Sequence, residues 1–409
     1  MGGNAMNLLL VVLEGARVDH LSCYGAAAQT TPFLDQIARE GVRCTEAFTT
    51  APAALPAHAS LLTGWFACAH GATEESGVLT ATPPTLPEML RAAGYRTAAF
   101  CPDRAVSPAT GCGRGFDRFY TAGNTSDLTG RAADYARRAS DRVLGRADSG
   151  ARRTTHALLD WVHDDPQPFA ALVTFREAVL EKRPPAPYDR QFAAPANDAQ
   201  ALRRAWHAGA LRYIDLRLQE VADALAAAGR WDQTIVVVTG TGGVPIDGAD
   251  AFDDSSLRIP LLMRAPGRVP AGFTLDEIAQ LTDIAPTVVS LLDLPVGLAW
   301  QGRALMRDGA VTPGPRWAFA ESYRRSAEDV RRKAVCGRRA SFVWQSDEAN
   351  RYVDRAAPQP GVGAAAADID RMRRVLFDWL AEATRWPAAC GLAAAAALPP
   401  VLHGHGAGE

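Results

Sequence analysis

Five short apolar runs constrain this chain more than any other feature: Asn7–Leu13, Thr97–Cys101, Phe169–Phe175, Thr234–Thr239 and Ile259–Met263. Each is continuous rather than alternating and is bounded by turn residues, the pattern of a strand buried on both faces. Helical signals lie between them. Thr31 and Pro32 offer an N-cap and a first-turn proline, Phe33, Leu34 and Ile37 an apolar face, and Gly41 a stop. Leu211, Ile214, Leu218, Val221 and Leu225 recur at spacings of three and four, one helical stripe closed by Gly229. Helices alternating with doubly buried strands predict an α/β fold, a mainly parallel central sheet with helices on both faces.

Beyond residue 310 the pattern changes. Strand-like pieces at Trp317–Glu321, Lys333–Cys336 and Ala340–Trp344 precede an amphipathic helix near Ile369–Leu380, which predicts a small C-terminal α+β subdomain. The expected organisation is an α/β domain over 1–310, the subdomain over 311–390 and a low-complexity tail over 391–409, with a Pro/Gly/Ala linker at Pro358–Ala367. His403 and His405 could catch a stray metal ion, but a frayed tail is the expected state there.

Charge excludes little, because 43 basic against 45 acidic residues leave a net of −2, giving no electrostatic case for nucleic acid or a membrane surface. The seven cysteines, at 23, 44, 68, 101, 112, 336 and 390, form no Cys-x-x-Cys pair and read as reduced, packed thiols. The first apolar run, Leu8–Leu13, is far shorter than the roughly 20 residues of a membrane span. Met6 stands where a myristoylation motif needs Ser or Thr. A cytoplasmic location is the default expectation.

Six segments carry a more specific resemblance. Leu13-Glu-Gly-Ala-Arg-Val-Asp-His-Leu-Ser-Cys-Tyr-Gly25 resembles the opening signature of the sulfatase family, in the alkaline phosphatase superfamily. Thr31–Gly41 is similar to that family's next helix, and Ala51–Gly64, with His70-Gly71 beyond, to the stretch carrying its nucleophile. Leu211–Thr239, Ser256–Gly267 and Asp283–Thr287 resemble later family segments, so the likeness runs in order over residues 7 to 305.

The resemblance implies a divalent cation held by hard oxygen ligands and an oxygen nucleophile that attacks sulfur or phosphorus. Ligands in such a sheet come from loops at the carboxyl ends of strands. At the first ligand position, usually aspartate, stands Glu14, followed by Gly15. Glutamate is accepted in the phosphoglycerol-transferase branch, so Glu14 remains a candidate ligand; the alternative is a solvated or Arg17-paired carboxylate. The nucleophile belongs two residues before the proline of the Cys-x-Pro-x-Arg pattern, and counting back from Pro56 gives Ala54, whose methyl group has no lone pair to attack with. The arginine closing that pattern is His58, a candidate pocket residue or a plain helix-start residue.

The second metal motif, Ser-Asp-His-Gly or Ser-Asp-Asn-Gly, corresponds to Gly240, Thr241, Gly242 and Gly243, so Thr241 and Gly242 stand at ligand positions without the family's side chains. Thr241 offers at most a neutral oxygen. Its glycines also carry a weak phosphate-cradle signal. The family's substrate-contacting histidine falls near Pro185, no Gly-Lys-Trp-His-like segment follows Tyr95, and Arg104 could supply a substitute cation or be an ordinary loop arginine. Arg17, His70, Asp253 and Asp254 complete the expected pocket, with a loop-capping or solvated role as the alternative for the two aspartates.

These replacements predict a pseudoenzyme with no catalytic residue intact and no cofactor, or at most a weakly held Ca²⁺ or Mg²⁺. Its partner would be a small anionic ligand or a protein, with a homo-oligomer left open and neither nucleic acid nor membrane involved. The alternative is a hydrolase or transferase of sulfate- or phosphate-type esters rebuilt around Glu14 and His58. A third reading is an interaction subunit that pairs with an active homologue.

Overall fold

The computed structural model describes residues 6–80, 83–121, 148–163, 165–179, 183–195, 197–246, 248–295, 299–323, 331–346, 350–355 and 366–390. Most of the expected linker and the whole 391–409 tail, with His403 and His405, lie outside the described residues.

The strands are β1 (Asn7–Gly15), β2 (Val42–Cys44), β3 (Ala47–Phe48), β4 (Arg96–Phe100), β5 (Arg118–Tyr120), β6 (Phe169–Phe175), β7 (Thr234–Gly243), β8 (Leu261–Arg264), β9 (Phe273–Leu275), β10 (Ala279–Gln280), β11 (Met306–Arg307), β12 (Ala310–Val311), β13 (Ala318–Tyr323), β14 (Arg331–Cys336), β15 (Ala340–Gln345) and β16 (Arg351–Asp354). Eight of them form one sheet in the order β5-β4-β6-β1-β7-β8-β2-β9. From β5 to β7 all neighbours are parallel. The Ile259 run supplies the antiparallel member, because β8 opposes both β7 and β2.

Alternation along β1 explains why both faces need helices. Leu8, Leu10 and Val12 enter a core shared with the helices Ala54–Thr63, Leu86–Ala92 and Ile284–Leu291. Leu9, Val11 and Leu13 point the other way, into a core shared with Pro32–Glu40, Ala151–His163 and Ala199–Ala227. Every residue of β1 is buried. The predicted α/β architecture is therefore present, with its hydrophobic runs serving two cores at once.

Local expectations needed one correction. Thr31 flanks the Pro32–Glu40 helix but makes no side-chain cap, since its hydroxyl is engaged with Ser22 instead. The cap comes from Asp215 on the long helix, whose carboxylate accepts the backbone N–H of Phe33 at 3.0 Å and of Leu34 at 2.9 Å. A charged acceptor at a helix N-terminus satisfies orphan donors and meets the positive end of the dipole. Arg212 completes the balance at 3.0 Å.

The C-terminal segment forms an antiparallel sheet, β13-β14-β15-β16, whose fourth strand carried no clear sequence signal, covered by the helix Ala366–Ala389. Its two cores are shared with the larger sheet's elements, Phe66 and Cys68 on one side, Phe48, Phe252 and Leu257 on the other. At this junction Glu321, fully buried, accepts the Cys68 N–H, the Lys333 ammonium and the Tyr323 hydroxyl, each at 2.7 Å. Burial of such a pair is tolerable because the carboxylate's acceptor sites are filled.

Asp215→Ala is expected to lower stability by about 2 kcal/mol, the upper range for a lost cap with a cation left unpaired, and Asp215→Asn by less, as urea unfolding would measure.

Candidate functional site

Glu14 is the last even-numbered side chain of β1 and so continues the face of Leu8, Leu10 and Val12, toward the helix Ala54–Thr63. Thr174 follows Ala170 and Leu172 on that same face of β6, and Cys101 follows Ala99 on that face after β4. Neighbouring parallel strands thus deliver a carboxylate, a hydroxyl and a thiol to one level at their carboxyl ends. The facing helix is buried from Leu55 to Thr63 and stopped by Gly64 in the left-handed conformation (φ 68°). It presents His58.

His58 Nδ1 lies 2.8 Å from the Ala54 carbonyl oxygen, which can only accept, so Nδ1 carries the hydrogen and Nε2 a lone pair. That lone pair faces Glu14 Oε1 at 3.8 Å and the Thr174 hydroxyl at 3.5 Å. Burial pulls the imidazole down to about 4, so His58 is neutral near pH 7 and no ion pair joins it to Glu14. Glu14 Oε2 accepts from Arg176 Nε at 2.7 Å, and Arg176 Nη2 reaches Asp103 at 3.1 Å. Burial, then the charge of Asp103, outweigh this arginine and push Glu14 up to about 7. Glu14 Oε1 is buried without a hydrogen-bond partner.

The structure thus brings Glu14, His58 and Ala54 together and sends the other expected pocket residues elsewhere. The solvated or Arg17-paired reading of Glu14 is overturned: Glu14 is 2% exposed, its cation is Arg176, and Arg17 forms a two-point pair with Asp19 at 2.9 and 2.6 Å. His70 is fully buried, Nε2 3.1 Å from the Ser60 hydroxyl and Nδ1 accepting the Ala72 N–H, a packing role. Asp253 and Asp254 bind arginines of the small sheet, Arg351 at 2.8 Å and Arg355 respectively, so they fasten β16 and its exit rather than line the pocket. Arg104 is exposed.

Thr241, Gly242 and Gly243 extend β7 instead of forming a phosphate-cradling loop. The register between β1 and β7 shifts after Leu13, where one extra residue is absorbed. Gly242 has φ 136°, and a Cβ at Gly243 would lie 2.5 Å from the Ser255 carbonyl oxygen, so glycine answers a backbone demand at both positions. The Thr241 carbonyl accepts from the Thr49 hydroxyl at 2.8 Å.

Sequence reasoning missed Arg176, Asp103, Cys101 and Thr174. Arg176 and Asp103 sit just past strands with no motif around them. A polar Thr174 inside an otherwise apolar run was the one available signal.

Residues 6–294 match the family model described as Sulfatase. The chain belongs to the sulfatase family. Human arylsulfatase A is 24% identical over 334 residues, covering 71% of this chain and 64% of that protein. A multifunctional alkaline phosphatase superfamily protein of Trinickia caryophylli is 24% identical over 391 residues, covering 73% and 76%. Mouse steryl-sulfatase is 36% identical over 103 residues, a match that spans 16% of its length. Among solved structures, a phosphonate monoester hydrolase of Agrobacterium radiobacter superposes with TM-score 0.80 at 21% identity, over 92% of this chain and 96% of the other, a likeness of fold. No helix among the described residues is long and apolar enough to cross a membrane.

A calcium or magnesium ion does not fit these side chains. Such an ion wants several oxygen ligands carrying negative charge, whereas Glu14 already has its Oε2 on a guanidinium, the nearby Asp103 is held by that same guanidinium, and the groups facing the free Glu14 oxygen are an imidazole and a thiol.

Removing the guanidinium should cost more than the pair is worth. Arg176→Met is expected to destabilise the fold by about 1 kcal/mol near pH 7, where Glu14 can take a proton instead, and by more as pH rises above about 8, in chemical denaturation, with Glu14→Gln recovering a large part of the loss at high pH. The buried histidines give a separate test. His70, held down to about 4 by burial, leaves the unfolded state to take a proton first, so its contribution falls as pH drops from 6.5 toward 4. Glu14 and Glu177, both pushed up to about 7, act with opposite sign between about 4.5 and 7. The difference between wild type and His70→Gln is therefore the readout, expected to change by about 1.4 kcal/mol per pH unit between pH 6 and 4.5 in pH-dependent unfolding.

Proposed function

We propose that this chain is a sulfatase-family protein without ester chemistry, kept for binding a small anionic ligand or a protein partner. The observation that carries the reading is Ala54. Where the resemblance puts an oxygen or sulfur nucleophile, the first residue of the buried helix is a methyl group, and its carbonyl is spent on orienting His58. Arg176 on Glu14 supports the same reading, because it occupies one of the two oxygens of the carboxylate that the resemblance assigns to the cation. Asp-to-Thr241 and His-to-Gly242 replacements remove the remaining charge from that side.

A second reading draws on the closeness of Glu14 and His58, 3.8 Å apart, as the start of a rebuilt ester hydrolase or transferase site. Protein purified without chelator and assayed against an aryl sulfate, a phosphate diester and a phosphonate monoester separates the two. The expected result is no turnover above buffer, with neither Ala54→Ser nor Ala54→Cys restoring it. Turnover abolished by Glu14→Ala would establish the second reading, and co-purification with an active sulfatase would identify a protein partner.

A further inference from the structure

Glu14 Oε1, His58 Nε2 and Cys101 Sγ all lie within 4.8 Å of one another, and all three residues are buried. We infer that these three side chains form a binding site for a zinc-class divalent ion, distinct in donor chemistry from the oxygen-ligand site of the family.

The geometry supports this in four ways. The first is an orphan: Glu14 Oε1 is buried, accepts nothing, and faces the lone pair of His58 Nε2 at 3.8 Å. A buried acceptor without a donor is costly in a dry interior, and a cation seated between it and the imidazole removes the cost. Second, the ligands are already oriented. His58 donates Nδ1–H to the Ala54 carbonyl, the usual way a metal-bound imidazole is held, and Glu14 is fixed through its other oxygen by Arg176, itself anchored on Asp103.

Third, the donors match a borderline metal. Zinc takes thiolate at about 2.3 Å and imidazole or carboxylate at about 2.0 to 2.2 Å, so in tetrahedral geometry its ligand atoms sit roughly 3.3 to 3.8 Å apart; Glu14 Oε1 and His58 Nε2 at 3.8 Å are already at that spacing, and a pair at the 4.8 Å limit would close by about 1 Å. A thiol ligand disfavours calcium and magnesium. Fourth, the charges close. The ion's two positive charges meet the Glu14 carboxylate and the Cys101 thiolate, while Arg176 and Asp103 cancel each other. Binding releases the thiol proton to solvent, plus that of Glu14 where it is protonated, with no change of oxidation state. The Arg176 side chain, 30% exposed, marks the outer edge of the site. Thr174 lines the remaining side.

The site stands whichever way ester assays fall, since its readout is binding. Chain freed of metal with chelator would be dialysed against Zn²⁺ and, separately, titrated with Co²⁺. The expected results are one tightly held metal per chain and a near-ultraviolet sulfur-to-cobalt charge-transfer band. Cys101→Ser should abolish the band and weaken binding at least about tenfold, with His58→Gln weakening it similarly. His403→Ala/His405→Ala should leave both unchanged. Absence of the band in wild type overturns the inference even if every variant misfolds. So does a band that survives Cys101→Ser or disappears with the tail histidines.

Discussion

Strand β1 has neither a free edge nor a free face. It is hydrogen-bonded to β6 and β7, and its alternate side chains fill two different cores. Its position is therefore over-determined from four directions. Whatever polar group stands at its carboxyl end must be accommodated where it emerges. Glu14 is that group, and the side chains around it are best understood as responses to a carboxylate that the sheet delivers into a mostly apolar setting.

That response is a chain of local compensations. Arg176 follows β6, the strand beside β1, and reaches back to Glu14; Asp103 follows β4, one strand further out, and holds the other end of the guanidinium. His58 comes from the facing helix and stays neutral. The small C-terminal sheet is joined differently, through shared apolar cores and through Asp250, Asp253 and Asp254 meeting Arg332, Arg351 and Arg355. Its attachment is polar at the rim and mostly apolar inside, with the buried Glu321–Lys333 pair as the exception.

Much of this was legible from residues alone, and what was not has a common cause. The runs Asn7–Leu13 and Phe169–Phe175 announced doubly buried strands because continuous hydrophobicity is a local pattern. Glu14 and His58 were singled out through motif position. Their partners were not, because which strands lie side by side is decided by the whole sheet: Arg176 is 162 residues from Glu14. The same holds for Asp215, which caps a helix 182 residues away while the local candidate, Thr31, looks elsewhere. Asp253 and Asp254 looked like pocket carboxylates because their arginines lie about a hundred residues later, in an element whose docking no local pattern encodes.

The backbone at Gly242 bears on how readily the site could change. Its φ is 136°, a conformation that side chains rarely adopt, although an added Cβ would come no closer than 3.3 Å to the Ser256 carbonyl oxygen. On the proposed reading, a histidine introduced at position 242 would therefore meet main-chain strain rather than a collision, while Gly243 keeps the residue that the resemblance expects there, its Cβ direction closed by the Ser255 carbonyl oxygen at 2.5 Å. A ligand at 242 thus asks for a different main chain as well as a different side chain, so mutation of that one codon reaches it only through a strained intermediate.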